Sequence, residues 1–147
     1  MSDLSTLTNQ YDQLVAITDQ VNDSVNILVK SELATEHPEM RKRASLQVSD
    51  EQVTYAKGTL RDLAQTLLTI STKEPMADVP IQLPNIIVED YQQRLRKKSL
   101  QRNFRNLIQA IDNEEPITQR YEGLLEDIVT TLDGDCLQFY KKFRGRG

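Results

Sequence analysis

The strongest constraint on the fold is a helical repeat of apolar residues. The most regular stretch alternates between spacings of three and four residues: Val53, Ala56, Leu60, Leu63, Leu67 and Ile70. This spacing places the side chains on one side of a helix, as in bundles and coiled coils. The 147 residues include only 5 Gly and 5 Pro, too few turn formers for the many strands of a sandwich or barrel. We therefore expect an all-α fold, an elongated bundle of about four helices forming one domain over 1–147.

Capping residues and prolines predict where these helices begin and end. The predicted helices span 2–33, 50–73, 85–112 and 116–143, and the first two are expected to be long and antiparallel. Ser49 and Gln52 form a capping box ahead of the second helix. A Pro-rich connector at 75–84 is predicted to run as a strap along the bundle. A basic tail follows at 141–147.

Two places predict a departure from regular helix. The step from Leu95 to Leu100 is five residues, which shifts the apolar face within the third helix. Asp133-Gly134-Asp135 predicts an interruption of the fourth helix, after which the chain either resumes the helix, as we favour, or forms a short amphipathic tail. Pro116 predicts the start of that helix. The acidic pair 114–115 is expected at the same start, where carboxylates are stabilised by the positive end of the helix dipole.

Motifs for catalysis or metal binding do not occur in the sequence. Nucleophile-elbow, phosphate-loop and zinc-helix patterns are absent. One Cys and one His cannot supply the three or four ligands of a typical zinc site. His37 is expected to be exposed in a loop, and Cys136 to fill a small apolar space. We predict a non-enzymatic protein with no catalytic residue, no metal ligand and no cofactor.

Positive charge is concentrated although the net charge is −4. Six of the 18 Lys and Arg residues lie in 94–105, with no acidic residue among them. The predicted contact residues are Arg94, Lys97, Lys98, Arg102 and Arg105. Such a surface fits an acidic helix of the same bundle or of a protein partner, and it also fits nucleic-acid phosphates. The protein partner is favoured because no aromatic platform for RNA is evident.

Two short motifs suggest modification sites. Ser45 follows Lys42-Arg43-Ala44 and resembles a basophilic kinase site, where a phosphate would add negative charge beside basic residues. Lys30 stands in Val29-Lys30-Ser31-Glu32, which matches the hydrophobic-Lys-x-Glu pattern of SUMO acceptor sites. The favoured interpretation of Lys30 is a lysine near a helix C-terminus, where its charge interacts favourably with the helix dipole.

The chain resembles one known family, namely the N-terminal helical part of the SUMO-ligase subunit of SMC-type DNA-repair complexes. The similar features are a first helix from Leu4 to Val29, a second helix ending at Pro75, a break at 79–88, a following helix with Phe104, and the acidic-apolar segment 126–130. This resemblance implies docking along the coiled-coil arm of an SMC protein. The chain ends where the family's zinc-bearing ligase domain begins, so the resemblance implies a docking module without ligase activity.

The predicted function is that of a helical interaction or scaffold subunit in a larger complex. A small nucleic-acid-binding protein and a self-assembling viral or phage structural protein are the alternatives, and a homo-oligomer is left open. No apolar run approaches the length of a membrane span, and Met1-Ser2-Asp3 does not begin a signal peptide. We expect no membrane contact and an intracellular protein, nuclear if the resemblance holds and otherwise cytoplasmic.

Overall fold

Four α-helices form the described part of the chain. The computed structural model describes residues 2–40, 43, 47–72, 79–81, 83, 88, 91–92, 95 and 98–144, with side chains between residues 9 and 137 except Met40. The helices are α1 (Ser2–Glu36), α2 (Asp50–Thr72), α3 (Lys98–Asp112) and α4 (Glu122–Arg144), with a 3-10 turn at Pro38–Met40. No strand occurs among these residues. The predicted all-α bundle of about four helices is confirmed.

The core lies where α1 and α2 meet and extends to the other two helices. α1 packs against α2 and α4, and α3 packs against α2. The largest fully buried apolar side chains come from all four helices and the segment before α4: Leu14, Val21, Leu28, Leu60, Leu63, Ile70, Phe104, Leu107, Ile117 and Leu132. Leu60, Leu63 and Ile70 belong to the apolar seam predicted at 53–70. The helical periodicity therefore identified the part of the core that α2 contributes.

α1 is three residues longer than predicted, because its end is set by a proline rather than by the loss of apolar residues. The helix continues to Glu36, and the His37 N–H still donates to the Leu33 carbonyl at 2.9 Å. Pro38 disfavours helical geometry at the residue before it. The predicted end of the first helix at residue 33 was therefore three residues too early.

Both reciprocal hydrogen bonds of the predicted capping box are present at the start of α2. The Ser49 N–H donates to Gln52 Oε1 at 2.8 Å, and the Gln52 N–H donates to Ser49 Oγ at 3.1 Å. These bonds satisfy two donors that a helix start otherwise leaves unpaired. The helix begins at Asp50 as predicted and extends to Thr72.

The predicted third helix over 85–112 is not continuous. Val88, Tyr91 and Gln92 are helical, Leu95 lies in a turn, and α3 begins at Lys98. The five-residue step from Leu95 to Leu100 explains the break. In one straight helix, the apolar residues before this step and those after it would lie on different sides, and only one set could face the core. The remaining residues of 84–97 lie outside the described part.

The described residues of the 75–84 connector lie against α2. Val79 and Leu83 are buried, and the Ile81 N–H donates to Thr66 Oγ1 of α2 at 3.2 Å. This arrangement agrees with a strap along the bundle.

α3 ends in a Schellman motif formed by a glutamate. Glu114 has φ of 60°, its N–H donates to the Ile111 carbonyl at 3.1 Å, and the Glu115 N–H donates to the Ala110 carbonyl at 2.9 Å. Glycine usually occupies this left-handed position. The acidic pair 114–115 therefore closes α3, and its predicted place at a helix start was wrong.

α4 begins six residues later than predicted, at Glu122. Residues 118–121 form a turn, in which the Tyr121 N–H donates to the Ile117 carbonyl at 2.9 Å. The Ile117 and Thr118 N–H groups donate to the Glu32 carboxylate of α1 at 3.1 and 3.0 Å, and Thr118 Oγ1 donates to it at 2.8 Å. This distant carboxylate holds the turn in place, so Pro116 does not start the helix.

α4 passes through Asp133-Gly134-Asp135 without interruption and includes Lys141–Arg144. Asp135 is buried and accepts a hydrogen bond from the Tyr91 hydroxyl, which fixes its place in the helix. The predicted interruption at 133–135 was wrong, and part of the predicted tail 141–147 is helical.

Candidate partner-binding surface

Three of the five predicted contact residues lie on one exposed face of α3. Lys98, Arg102 and Arg105 are spaced by four and three residues, which places them on the same side of a helix, and all three are exposed. None of them forms an ion pair with another described residue. We call these three residues the basic stripe. Arg94 and Lys97 lie outside the described residues.

The face of α3 opposite the basic stripe anchors the helix to the bundle. Phe104, Leu107, Ala110 and Ile111 are buried. The Gln101 side chain also donates from Nε2 to the Ser71 carbonyl of α2 at 3.3 Å. Since buried residues hold α3 in place, the basic stripe points away from the core and is available to a partner.

The one acidic residue of α3 is already paired. Arg61 of α2 donates to Asp112 from Nε at 2.7 Å and from Nη2 at 3.2 Å, which is the strong two-pronged arrangement of guanidinium and carboxylate. The hydrogen bond from Arg61 lowers the pKa of Asp112, and the hydrogen bond to Asp112 raises the pKa of Arg61. The carboxylate is therefore committed to α2, and it does not neutralise the basic stripe.

A mostly apolar groove lies between α3 and α4. Its volume is about 300 Å³. Leu67 of α2, Tyr91, Leu95 and residues of both helices line it, including Leu100, Phe104, Leu124 and Ile128, while Asp127, Thr130 and Thr131 provide its polar part. The sequence carried no signal for this groove, because its walls come from segments far apart in the chain.

A polar contact with the middle of α1 places Cys136 in the bundle. The Cys136 Sγ and Thr18 Oγ1 atoms are 3.3 Å apart and share a hydrogen bond. Burial raises the pKa of the Cys136 thiol, although the hydrogen bond with Thr18 opposes this shift. A raised pKa disfavours the reactive thiolate. The thiol packs against the core, in agreement with its predicted role as a small filler.

The predicted modification sites have different surroundings. Lys30 is exposed on α1, but the helix extends to Glu36, so Lys30 is not in the last turn. Glu32, the acidic residue of the same motif, is occupied by the turn before α4. Ser45 lies outside the described residues. His37 is exposed, with its Nδ1 3.5 Å from Glu39 Oε1.

The described residues offer neither a cluster of metal ligands nor a membrane-spanning helix. They contain no group of three or more His, Cys, Asp or Glu side chains placed to hold a metal ion. None of their helices combines the length and apolar character needed to span a bilayer.

Comparisons with known proteins do not assign the chain to a family. No family model, no curated protein and no solved structure matches it. The resemblance to the SMC-complex ligase subunit therefore stays a prediction.

Proposed function

We propose that this protein is a non-enzymatic helical subunit that docks through the basic stripe of α3 on an acidic helix or coiled coil of a partner. The observation that carries the proposal is the outward position of Lys98, Arg102 and Arg105 on a helix whose opposite face is buried. Cations repeated once per helical turn match acidic residues repeated in the same way on a neighbouring helix.

The resemblance noted in the sequence suggests which partner to test. If the chain is related to the ligase subunit of SMC-type complexes, the acidic helix belongs to the coiled-coil arm of an SMC protein, and the protein acts in DNA repair in the nucleus. The docking proposal itself depends only on the charge and position of α3.

A double charge reversal, Lys98→Glu with Arg102→Glu, tests the stripe. Both side chains are exposed, so the variant should keep its helix content and melting temperature. It should lose binding to the coiled-coil arm of the SMC protein and to an acidic coiled-coil peptide, measured by fluorescence anisotropy. Lys30→Glu with Arg120→Glu is the matched control, because it makes the same charge change at exposed residues elsewhere. Equal binding by wild type and the stripe variant would contradict the proposal.

Nucleic-acid binding through the same stripe is the second candidate, since the same cations can neutralise phosphates. A duplex DNA and a single-stranded RNA are measured beside the peptide at several salt concentrations. Docking on protein predicts only salt-sensitive, nonspecific affinity of about 10⁻⁴ to 10⁻⁶ M for either nucleic acid. Nanomolar binding at physiological salt, lost in the stripe variant while peptide binding remains, would show that α3 is a nucleic-acid surface.

A further inference from the structure

We propose that Ser99, in the first turn of α3, is a phosphorylation site for a basophilic protein kinase, and that its phosphate releases the basic stripe from an acidic partner helix. The regulatory half of this proposal rests on the proposed function, whereas the modification itself does not. Three observations carry it: the sequence before Ser99, the exposure of its side chain, and its position beside the basic stripe.

The sequence before Ser99 has the pattern of a basophilic kinase site. Four of the five preceding residues are basic, in the run Arg94-Leu95-Arg96-Lys97-Lys98. Arg94 and Arg96 stand five and three residues before the serine, where acidic side chains in the peptide groove of such a kinase bind guanidinium groups. Ser45, the other candidate site, has a basic residue at the third place before it but Met40 at the fifth. Ser99 therefore matches the pattern at both places.

The Ser99 side chain is accessible to an enzyme. It is exposed, and no hydrogen bond joins its hydroxyl to another described residue. In contrast, Ser24 and Ser71 are buried and donate to carbonyls of their own helices. The Ser99 hydroxyl is therefore available for reaction, whereas those two hydroxyls are not.

A kinase binds its substrate as an extended segment, so the first turn of α3 has to open. α3 begins at Lys98, and its buried residues begin only at Phe104. Leu95, ahead of the helix, lies in a turn, and Leu100 is only partly buried. The Gln101 side chain donates to a carbonyl of α2 at a long 3.3 Å. Opening this turn therefore costs less than opening the middle of the helix.

The reaction is phosphoryl transfer from ATP. The Ser99 Oγ atom forms a bond to the γ-phosphorus, the bond between this phosphorus and the β,γ-bridging oxygen breaks, and ADP leaves. The hydroxyl proton passes to the catalytic carboxylate of the kinase. Ser99 then carries a phosphate with a charge of about −1.5 to −2 at neutral pH.

The phosphate lies beside the cations of the basic stripe. Lys98 directly precedes Ser99, and Arg102 follows three residues later, where side chains of one helix meet. Because guanidinium and phosphate form strong charge-assisted hydrogen bonds, Arg102 pairs with the phosphate of its own chain. The stripe keeps a net charge of only about +1 and no longer attracts an acidic helix. Negative charge at the start of α3 is favourable, so the fold is retained.

Phosphorylation in vitro tests the site. The full chain is incubated with ATP, Mg²⁺ and a purified kinase that selects arginine three and five residues before serine, and mass spectrometry maps the phosphate. Wild type and Ser45→Ala should carry it at Ser99, and Ser99→Ala should not. Arg94→Ala with Arg96→Ala should be modified at least about tenfold more slowly, because two charge-assisted contacts with the kinase are lost.

A synthetic peptide of residues 93–103 is the control for access. The peptide and the full chain should both be phosphorylated. A modified peptide with an unmodified chain would show that the fold shields Ser99, and an unmodified peptide would show that the sequence is not a substrate. Either result would overturn the proposal.

Binding of the acidic coiled-coil peptide before and after phosphorylation tests the regulation. The phosphorylated chain should bind at least about tenfold more weakly in fluorescence anisotropy, without a lower melting temperature. Ser99→Glu should also weaken binding, whereas Thr54→Glu, which makes the same charge change at an exposed residue of α2, should not. Equal binding by the phosphorylated and unmodified chains would overturn the regulation. Absence of binding by the unmodified chain would overturn the docking function and the regulation together, while the phosphate map still decides whether Ser99 is modified.

Discussion

At the scale of single residues, Glu32 makes the least expected contribution to the fold. Its carboxylate accepts hydrogen bonds from two backbone N–H groups and one hydroxyl of residues 117–118, far away in the chain. These groups lie in and just before the turn at 118–121, ahead of the first residue of α4, Glu122. A carboxylate is suited to this position, because it accepts several bonds and its charge strengthens each of them.

Replacing Glu32 by Ala should lower the free energy of unfolding by about 1–3 kcal/mol, because partly buried N–H groups lose a charged acceptor. Thr118→Val should cost less, about 1 kcal/mol, because it removes one of the three donors. Urea denaturation followed by circular dichroism measures both. Glu36→Ala, at an exposed residue of the same helix, is the control. An equal effect of Glu32→Ala and Glu36→Ala would show that the contact contributes nothing.

Glu114 is the second residue of interest at this scale. Unlike Glu32, it contributes through its backbone conformation rather than through its side chain. A residue with a Cβ atom loses roughly 1–2 kcal/mol in the left-handed region, whereas glycine does not. Glu114→Gly should therefore raise the free energy of unfolding, by about 0.5–1 kcal/mol once the greater freedom of glycine in the unfolded chain is included.

Chemical denaturation of Glu114→Gly beside Glu115→Gly checks this prediction. Among the described non-glycine residues, only Glu114 has a positive φ. The neighbouring substitution should therefore leave stability unchanged or lower it. Stabilisation by both substitutions would argue against the conformational explanation.

At the scale of the helices, the Arg61–Asp112 pair joins α2 to α3. Both side chains are nearly half exposed, so the expected contribution is small. Because folding lowers the pKa of Asp112 below its ordinary value of 3.8, the pair stabilises the protein above that pH. This stability is lost as the pH falls through the lowered pKa of the folded protein.

Asp112→Asn should therefore be less stable than the wild type near neutral pH and equal to it in strong acid. Urea denaturation of both proteins between about pH 2 and pH 7 follows the difference. High salt should reduce the difference at neutral pH, because the pair is exposed to solvent. A stability difference independent of pH would mean that the lost contact is not electrostatic.

At the scale of the whole molecule, α2 contributes a central part of the core. Leu63 is fully buried in the seam that the sequence showed most clearly. Leu63→Asp places an unpaired charge there and should cost at least about 4 kcal/mol, a large part of the roughly 5–15 kcal/mol by which native domains are stable. Thr54→Asp, at an exposed position of α2, should change little. Thermal melting by circular dichroism compares the two, and an unshifted melt for Leu63→Asp would mean that the buried seam does not support the fold.

The sequence predicted those parts of the fold that depend on neighbouring residues. Apolar spacing identified most of the buried side chains of α2, and the capping box at Ser49 and Gln52 located the start of that helix. These features are local, since a helix is made by bonds between residues four apart. The basic stripe was predictable for the same reason, because helical spacing alone decides that Lys98, Arg102 and Arg105 share a face.

Only the tertiary structure decided where α4 starts, how α2 is joined to α3, and where the groove lies. Glu32 reaches residues 117–118, Arg61 reaches Asp112, and Tyr91 reaches Asp135 in a helix that local signals predicted to be interrupted. Each of these contacts joins residues far apart in sequence, and no spacing rule relates them. Hydrogen bonds between distant residues form only after the apolar faces have packed, because packing brings the donors and acceptors within reach.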